Sequence, residues 1–365
     1  MKIVWITGRR VGVDLAASTE VGLCKSLSLT NQICMISPGK TIISDIYKHF
    51  LVPQSKFRGL QSISAGTEVK RILKNEELAD WADIFLVDWR LVGSVIGLLR
   101  EREVPWCIID RGPPADRGLI ATLQSLQWRR SWKMAGKYAM GGFVVSSEHE
   151  SFVRERVTIG IRIVSLPAGT EIERFAKNLE KPDDSIQFVY SGRLDSSRGI
   201  NEMIRLVEYF DRLPLRASLK IIGKGNESHF LEEMSSVDER IVFLGEKDRE
   251  EVWEELEKCH VGILPMPESK IWRTSSPLKL AEYLAAGLLV IGPRHPGNSI
   301  GGENRWELLS ENSDWPESCI ELVARTIESE DWGDISKEAR EVAKSFDWNL
   351  VSEKLVNSLD LFLNS

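Results

Sequence analysis

The chain of 365 residues is long enough for two domains, and its 42% apolar and 28% charged residues fit a soluble globular protein. Its net charge of −7 leaves no excess of lysine and arginine to neutralise phosphates, which argues against nucleic acid as the main partner. Five scattered cysteines without a C-x-x-C motif favour a reduced, cytoplasmic protein, and no apolar run approaches the roughly 20 residues that span a bilayer.

The first half of the chain alternates short apolar runs with helical patterns. Predicted strands are 2–7, 32–36, 83–87, 105–109, 142–145 and 162–166, and predicted helices are 18–29, 91–100, 119–139 and 148–157. Such alternation favours a parallel sheet that is covered by helices on both faces.

The second half repeats the alternation after a polar stretch, 167–184, that we interpret as a linker. Predicted strands are 186–190, 218–222, 241–244, 261–264 and 288–291, and predicted helices are 200–210, 248–259, 277–286, 316–329, 334–346 and 350–363. We therefore predict an α/β protein with two domains, each built on a parallel sheet. Ligands of such sheets bind beyond the carboxyl ends of the strands, so the loops that leave strands are where a site is expected.

The helix that begins near Ser276 has a lysine where the helix dipole favours an anion. Ser276 is a suitable N-cap, and Pro277 suits the first helical position. Lys279 lies in the first turn, which is easier to explain if a phosphate binds at the helix start. Glu282 is placed to reach a ligand held there. The alternative interpretation is a surface helix with a Lys279–Glu282 ion pair.

The loop after strand 186–190 reads S-G-R-L-D-S-S-R-G-I and combines a glycine turn with two arginines. Gly192 permits a tight turn, and Arg193 and Arg198 flank a polar loop that ends at a helix start. Two guanidinium groups beside a helix N-terminus predict an anion site. The alternative is a solvated loop with two unrelated arginines. The turns at 223–225 and 245–247 are also backbone-rich, but each alone is an ordinary turn.

Four motifs in the second half resemble a known enzyme family when taken together. They are Y-S-G-R-L-D-S-S-R-G, L-K-I-I-G-K-G, R-I-V-F-L-G and S-P-L-K-L-A-E-Y-L-A-A-G, in that order over residues 186–292. The set resembles the C-terminal half of glycosyltransferase family 4, and residues 167–175, P-A-G-T-E-I-E-R-F, resemble its hinge. The resemblance implies a GT-B fold with two Rossmann-like domains facing across a cleft. It places an acceptor domain at 1–170, a donor domain at 171–347, and a last helix, 348–365, that packs back on the first domain.

The resemblance also implies an activity and the residues that perform it. The activity is retaining, metal-independent transfer from a nucleotide-diphosphate sugar, as co-substrate, to a hydroxyl of a glycan or lipid-linked acceptor. Arg193 and Arg198 match the cations that hold the diphosphate, and Glu282 matches the carboxylate that binds the ribose hydroxyls. The donor-binding positions as a set are Gly12, Gly192, Lys247, Ser276, Pro277, Leu278, Lys279 and Glu282.

Two positions depart from the family pattern. Thr274 stands where the family often has a glutamate that touches the donor sugar, and Glu268 lies further upstream as a candidate substitute. Asp110, followed by Arg111, stands at a strand end where many members carry a histidine that faces the donor sugar. We therefore name Asp110 as a catalytic residue together with the two arginines of the second half.

A basic helix in the first half carries two tryptophans. Trp128 and Trp132 are four residues apart, and so are Arg129 and Lys133. An amphipathic basic helix with tryptophans suits a membrane surface, which predicts peripheral contact at the inner face of the membrane. The alternative interpretation is a partly buried helix with a solvated basic edge.

The sequence leaves two other functions open and gives no sign of a metal site. It has no D-x-D motif and no histidine pair at metal-ligand spacing, so no metal cofactor is expected. One alternative function is a nucleotide-sugar epimerase with the GT-B fold. The other, motivated by Thr274, is a catalytically inactive nucleotide-sugar-binding protein.

Overall fold

The chain divides into two compact units in a computed structural model. Unit 1 comprises Met1–Gly169 and Trp348–Ser365, and unit 2 comprises Thr170–Asp347. The residues that the structure describes are 1–14, 17–41, 46–57, 61–114, 118–175, 179–276, 278–329 and 331–364. Pro277, one of the predicted donor-binding residues, lies outside these ranges.

Unit 1 is built on a seven-stranded parallel sheet with the order β3-β2-β1-β4-β5-β6-β7. The strands are β1 (Lys2–Ile6), β2 (Gln32–Ser37), β3 (Lys48–Leu51), β4 (Ile84–Asp88), β5 (Trp106–Ile109), β6 (Gly141–Val144) and β7 (Ile163–Ser165). Every residue of β4 and β5 is buried, because helices cover both faces of the sheet. The strand order reverses between β1 and β4, and open sheets of this kind bind ligands beyond the strand ends at that point.

The helices of the first 169 residues pack on this sheet. They are α1 (Ser18–Ser28), α2 (Gln61–Asn75), α3 (Leu78–Trp81), α4 (Val92–Glu101), α5 (Gly118–Tyr138) and α6 (Ser147–Arg156). The start of α6 shows why a helix forms there, since the Ser146 side chain accepts a hydrogen bond from the His149 N–H at 3.1 Å.

Unit 2 repeats the design with six parallel strands in the order β10-β9-β8-β11-β12-β13. The strands are β8 (Ser185–Ser191), β9 (Arg216–Ile222), β10 (Ile241–Gly245), β11 (Val261–Ile263), β12 (Leu289–Pro293) and β13 (Glu307–Ser310). The helices are α7 (Ile200–Arg205), α8 (Ser228–Val237), α9 (Arg249–Leu256), α10 (Lys270–Arg273), α11 (Leu278–Ala285), α12 (Trp315–Glu328) and α13 (Trp332–Ala343). The strand order reverses between β8 and β11, so the loop after β8 lies at the expected binding edge.

The last helix of the chain, α14 (Trp348–Leu363), packs on α1 of unit 1. The contact is close, because a Cβ on Gly22 would lie 2.6 Å from Cζ2 of Trp348. Polar groups join the same interface, where the hydroxyl oxygens of Ser26 and Ser352 are 2.8 Å apart. Helix α14 therefore belongs to unit 1, although it follows unit 2 in the sequence.

The predicted fold class, α/β with two Rossmann-like domains, is confirmed by the two parallel sheets. Six elements were not predicted from the sequence, namely β3, α2, α3, α8, α10 and β13. The predicted helix 200–210 is α7 followed by a 3₁₀ segment, Leu206–Arg212. All five cysteines are free and buried. Within the described residues, no helix combines the length and the apolar content that crossing a membrane requires.

Candidate functional site

The turn after β8 requires glycine for two reasons. Gly192 has a φ of +143°, a backbone conformation that side chains other than glycine rarely adopt, and its N–H donates to the Ile222 carbonyl at 2.8 Å. A Cβ on Gly192 would also lie 2.5 Å from Cε of Lys279. Glycine at this position therefore lets the lysine side chain from α11 lie across the turn.

An aspartate holds the two predicted arginines of this loop. Nη2 of Arg193 lies 2.9 Å from Oδ2 of Asp195, and Nε of Arg198 lies 3.8 Å from the same oxygen. One carboxylate between two guanidinium groups leaves the loop with a net positive charge. The Arg193 side chain is 58% exposed, so it remains open to an anion. Asp195 was not among the predicted site residues, although its place between the two arginines was a signal for this role.

A tryptophan from α10 supports Arg198 and was also missed. The guanidinium carbon of Arg198 lies 4.8 Å from the ring centroid of Trp272, in cation–π geometry. The indole N–H of Trp272 donates to the Ser197 carbonyl at 3.3 Å. The ring therefore fixes both the side chain of Arg198 and the backbone beside it.

Lys279 brings a third cation to the same turn. Its Nζ lies 5.2 Å from the ring centroid of Tyr190, the residue two before Gly192. Burial, together with the neighbouring charge of Arg198, lowers the pKa of Lys279 to about 7. Lys279 forms no ion pair with the described residues, so the Lys279–Glu282 surface pair considered as an alternative is not formed.

Glu282 lies on the buried side of α11 beside two cations. It is 7% exposed, and burial raises the pKa of its carboxyl group, while Arg249 and Lys279 act in the opposite direction. Arg249 is itself fixed, because its guanidinium lies 4.6 Å from the ring centroid of Trp253 and 3.4 Å from Oε1 of Glu171. A carboxylate held in this way is positioned to accept hydrogen bonds from hydroxyl groups.

The other predicted donor-binding residues of unit 2 lie at strand and helix ends. Ser276 and Leu278 are half-buried on either side of the undescribed Pro277. Lys247 follows β10, is half-buried, and places its Nζ 3.3 Å from Oε1 of Glu251. The structure thus brings Gly192, Arg193, Arg198 and Lys279 together at one turn.

Thr274, which departs from the family pattern, and Glu268, the candidate substitute, both form local contacts. Thr274 is 4% exposed, and its hydroxyl donates to the Ile271 carbonyl at 2.9 Å. Glu268 forms an ion pair with Arg273. A carboxylate in place of Thr274 would therefore be a buried charge, whereas the carboxylate of Glu268 is already paired.

Asp110, which we predicted to be catalytic, is instead the centre of a buried polar cluster in unit 1. It is 0% exposed, and its Oδ2 accepts the indole N–H groups of Trp128 at 2.6 Å and Trp132 at 3.0 Å. Nε2 of His149 lies 3.3 Å from the same oxygen, and Oδ1 accepts the Gly112 N–H at 3.0 Å. Burial alone would raise the pKa of Asp110, but His149 and the two indoles lower it to about 2. The carboxylate therefore binds α5 and α6 to the end of β5 and presents no atom to a substrate.

The same cluster corrects the prediction of membrane contact through α5. Trp128 and Trp132 are 2% and 0% exposed, so neither ring is available to a membrane surface. Arg129 and Lys133 are exposed, which matches the alternative of a buried helix with a solvated basic edge. The spacing of the tryptophans correctly predicted the apolar side of α5. That side packs in the core of unit 1 and does not face a membrane.

Two further predictions concern Gly12 and metal. Gly12 lies in the turn after β1 of unit 1, with a φ of +71°. Among the described residues, no group of three or more histidine, cysteine or acidic side chains is arranged to hold a metal ion.

The comparisons with known proteins agree with this architecture. Residues 171–338 match the family model described as "Glycosyl transferases group 1", which places the match within unit 2. No curated protein matches the chain in sequence. The whole chain is similar in structure to sucrose-phosphate synthase from Thermosynechococcus elongatus, at 15% identity, with full coverage of both chains and a TM-score of 0.76.

Other solved structures extend the likeness. HepE from Anabaena, in complex with UDP, is 13% identical over 99% of this chain and 100% of its own, with a TM-score of 0.71. The lipopolysaccharide outer core galactosyltransferase WaaB is 15% identical over 98% of this chain and 99% of its own, with a TM-score of 0.69. At these identities the likeness establishes the fold, which is GT-B. The fold and the match over residues 171–338 together support a glycosyltransferase of GT-B architecture.

Proposed function

We propose that this chain is a retaining, metal-independent glycosyltransferase that moves a sugar from a nucleotide-diphosphate sugar to a hydroxyl acceptor. The observation that carries the proposal is the convergence of Arg193, Arg198 and Lys279 on the turn after β8, with Asp195 as the carboxylate between the arginines. Three cations at one turn suit a diphosphate, which carries several negative charges.

The other residues proposed to contact the donor lie at the same edge of the unit 2 sheet. The Glu282 carboxylate accepts hydrogen bonds from the ribose hydroxyls. Ser276 and Leu278 lie at the start of α11, which binds the phosphates. Lys247 lies in the turn beside the base. HepE has been crystallised with UDP and with UDP-glucose, which supports a nucleotide sugar as the donor. Unit 2 is accordingly the donor domain, and unit 1, with its C-terminal helix, is the acceptor domain. Gly12 of unit 1 approaches the donor phosphate or the acceptor.

The reaction needs charge stabilisation more than it needs a general acid. The bond between the sugar C1 and the diphosphate oxygen breaks, and a bond forms between C1 and the acceptor oxygen on the same face. The acceptor proton passes to the leaving phosphate oxygen. Arg193, Arg198 and Lys279 meet the negative charge that grows on the leaving diphosphate, and preorganised cations do this without reorganising at the moment of reaction. Asp110 has no part in this step because it is buried.

Release of nucleotide diphosphate tests the proposal against its alternatives. The protein is incubated with UDP-, GDP- and ADP-linked hexoses, with and without acceptor sugars, in the presence of EDTA. The proposal is supported if a nucleoside diphosphate is released only when acceptor is present, and if the product keeps the anomeric configuration of the donor. An altered sugar still attached to its nucleotide identifies an epimerase, and binding without turnover identifies an inactive binding protein. Turnover that EDTA abolishes and Mg²⁺ restores would overturn the metal-independent mechanism.

The acceptor and the location complete the proposal. A glycan, free or lipid-linked, supplies the hydroxyl, and the enzyme works in the cytoplasm, where five free thiols stay reduced. Fractionation of the native cells followed by detection of the protein tests the location.

A further inference from the structure

We propose that Tyr190 positions the three cations of the turn after β8 and affects turnover through them. These cations are Arg193, Arg198 and Lys279. The inference deepens the proposed function and rests on it. Tyr190 is fully buried near the end of β8, so it presents no surface to a ligand and acts as a positioning residue.

The hydroxyl of Tyr190 fixes the backbone of Arg193. It donates to the Arg193 carbonyl at 2.8 Å, three residues further along the chain. Gly192 lies between the two with its φ of +143°, and a Cβ at Gly192 would lie 3.6 Å from the tyrosine hydroxyl oxygen. The turn therefore packs directly over the hydroxyl. The hydrogen bond sets the direction in which the exposed guanidinium of Arg193 leaves the backbone.

Arg198 lies close enough to the same hydroxyl for its charge to act on it. Burial raises the pKa of Tyr190 to about 12, and the positive charge of Arg198 acts in the opposite direction. The hydroxyl is therefore protonated across the neutral range. Its one proton is donated to the Arg193 carbonyl, so the lone pairs of its oxygen are what it offers to the Arg198 guanidinium, which carries donors only.

The ring of Tyr190 holds Lys279. The ammonium Nζ lies 5.2 Å from the ring centroid, within the distance of a cation–π contact. Cε of the same lysine would lie 2.5 Å from a Cβ at Gly192, so the side chain contacts both the ring and the turn. Because Lys279 forms no ion pair with the described residues, the ring takes the place of a counter-ion.

A second tyrosine fixes the strand end that carries Tyr190. Ser191, the next residue, donates its N–H to the hydroxyl of Tyr283 at 3.2 Å, and that hydroxyl donates to the Ile263 carbonyl of β11 at 3.4 Å. Tyr283 belongs to α11, so this bond joins the end of β8 to the helix that carries Lys279. The ring and the hydroxyl of Tyr190 are thus in place before a ligand binds, as the stabilisation of developing charge requires.

Removing the hydroxyl alone tests its contact with Arg193. Tyr190→Phe keeps the ring, and it is expected to lower kcat for release of the nucleoside diphosphate about 3- to 10-fold, the usual worth of one neutral hydrogen bond, with a smaller change in donor KM. Tyr209→Phe is the matched control, because its hydroxyl also lies beside an arginine, 3.4 Å from Nη2 of Arg205, but outside the site. Urea unfolding shows that both variants are folded. A kcat of Tyr190→Phe equal to that of Tyr209→Phe overturns the inference.

A double-mutant cycle separates positioning from a contribution to the fold. Arg193→Ala removes the guanidinium but keeps the carbonyl that accepts from Tyr190. The rates are measured in single turnovers with enzyme in excess, so that slow variants are included. Tyr190→Phe should lower the rate less in the Arg193→Ala background than in the wild type, because the group that it positions is absent. A loss of the same size in both backgrounds would show that the hydroxyl only stabilises the fold, and overturns the inference.

The ring is tested against Lys279 by a second cycle. Tyr190→Leu removes the aromatic face, and its nucleotide Kd should exceed that of Tyr190→Phe by about 2- to 30-fold, the worth of a cation–π contact. In the Lys279→Met background the side chain carries no charge, so the two variants of Tyr190 should bind nucleotide equally. A difference that persists in Lys279→Met overturns the inference for the lysine.

Failure of the proposed function gives a different result. If the wild type neither binds UDP, GDP or ADP in calorimetry nor releases a nucleoside diphosphate from any donor, the proposed function fails and the inference that rests on it fails as well. If the wild type binds nucleotide and turns over, but Tyr190→Phe matches its control, the donor site stands and the role of Tyr190 alone is wrong.

Discussion

Arg198 lies against the face of Trp272, with its guanidinium carbon 4.8 Å from the ring centroid. The indole N–H of the same tryptophan donates to the Ser197 carbonyl, the residue before Arg198. Trp272 therefore contacts both the side chain of Arg198 and the backbone next to it, and the two contacts hold this flexible arginine in one orientation. Because a cation must already be in position when charge develops, Trp272 acts as a positioning residue for Arg198.

Replacing Trp272 with phenylalanine and leucine separates this role from simple packing. A cation–π contact is worth about 0.5–2 kcal/mol, so Trp272→Leu is expected to lower kcat roughly 2- to 30-fold, with a smaller change in donor KM. Trp272→Phe keeps an aromatic face and should recover part of the loss. Steady-state kinetics of both variants checks this, and equal losses in the two variants would show that the ring contributes only volume.

Replacing Glu282 with glutamine should weaken donor binding more than it slows the chemistry. Ribose hydroxyls do not change during the reaction, so their contacts lower the free energy of ground and transition states alike. Hydrogen bonds to a charged group are worth about 1.5–3 kcal/mol, which corresponds to a rise in donor KM of roughly 10- to 150-fold. Glu254→Gln is the matched control on α9. An unchanged KM in a folded Glu282→Gln protein would remove the ribose assignment.

Lys279 should make nucleotide binding depend on pH. Its pKa is about 7 in the free protein, because burial and Arg198 disfavour the ammonium form. A bound diphosphate favours the ammonium form and raises the pKa, so binding takes up a proton above pH 7. Affinity should therefore fall as the pH rises from 7 to 9, by up to about tenfold per unit. The terminal phosphate, with a second pKa of about 6, is already ionised in this range.

Calorimetry of UDP, GDP or ADP binding in buffers of different ionisation enthalpy measures this proton uptake directly. Lys279→Arg is the matched variant, because its guanidinium stays charged throughout the range. We expect the variant to bind without net proton uptake and with little pH slope. A slope that is the same in wild type and in Lys279→Arg would assign the pH dependence to another group.

Replacing Asp110 should lower the free energy of unfolding and leave donor binding unchanged. Asp110→Asn replaces a carboxylate that accepts from Trp128, Trp132 and the Gly112 N–H. Leaving one of these buried donors without an acceptor typically costs about 1–3 kcal/mol. The expected result is lower urea resistance of unit 1 with an unchanged nucleotide Kd. Its pKa of about 2 lies below the ordinary 3.8, so the stabilisation is present above about pH 4 and lost toward pH 2. Asp360→Asn, an exposed change on α14, is the control.

Much of the fold could be predicted because buried parallel strands form continuous apolar runs. The strand Ile84–Asp88, for example, is entirely buried and was predicted within one residue at each end. By contrast β3, Lys48–Leu51, lies at the sheet edge with only half-buried and exposed residues, so its sequence K-H-F-L carries no apolar pattern. Edge strands are defined by hydrogen bonds to a neighbour, which a single sequence does not show.

The site was predictable where a motif fixes both residue type and spacing. The loop with Arg193 and Arg198 is an example, and Lys279 was identified because it contradicts the helix dipole. Trp272 could not be found in this way, since its contact with Arg198 joins residues that are far apart in the chain. Asp110 was misassigned because a strand-end carboxylate in the sequence does not reveal the indoles that bury it.

The turnover of Arg193→Ala tests the central claim most directly, namely that the turn after β8 binds the leaving diphosphate. Removing one preorganised hydrogen-bond donor that faces the developing negative charge costs about 2.7–4 kcal/mol. The kcat for release of the nucleoside diphosphate should therefore fall by roughly 10²- to 10³-fold. Arg216→Ala, an exposed change at the opposite end of the sheet, should retain normal turnover. A folded Arg193→Ala protein with near-normal kcat would contradict the account, because the diphosphate would then be held elsewhere.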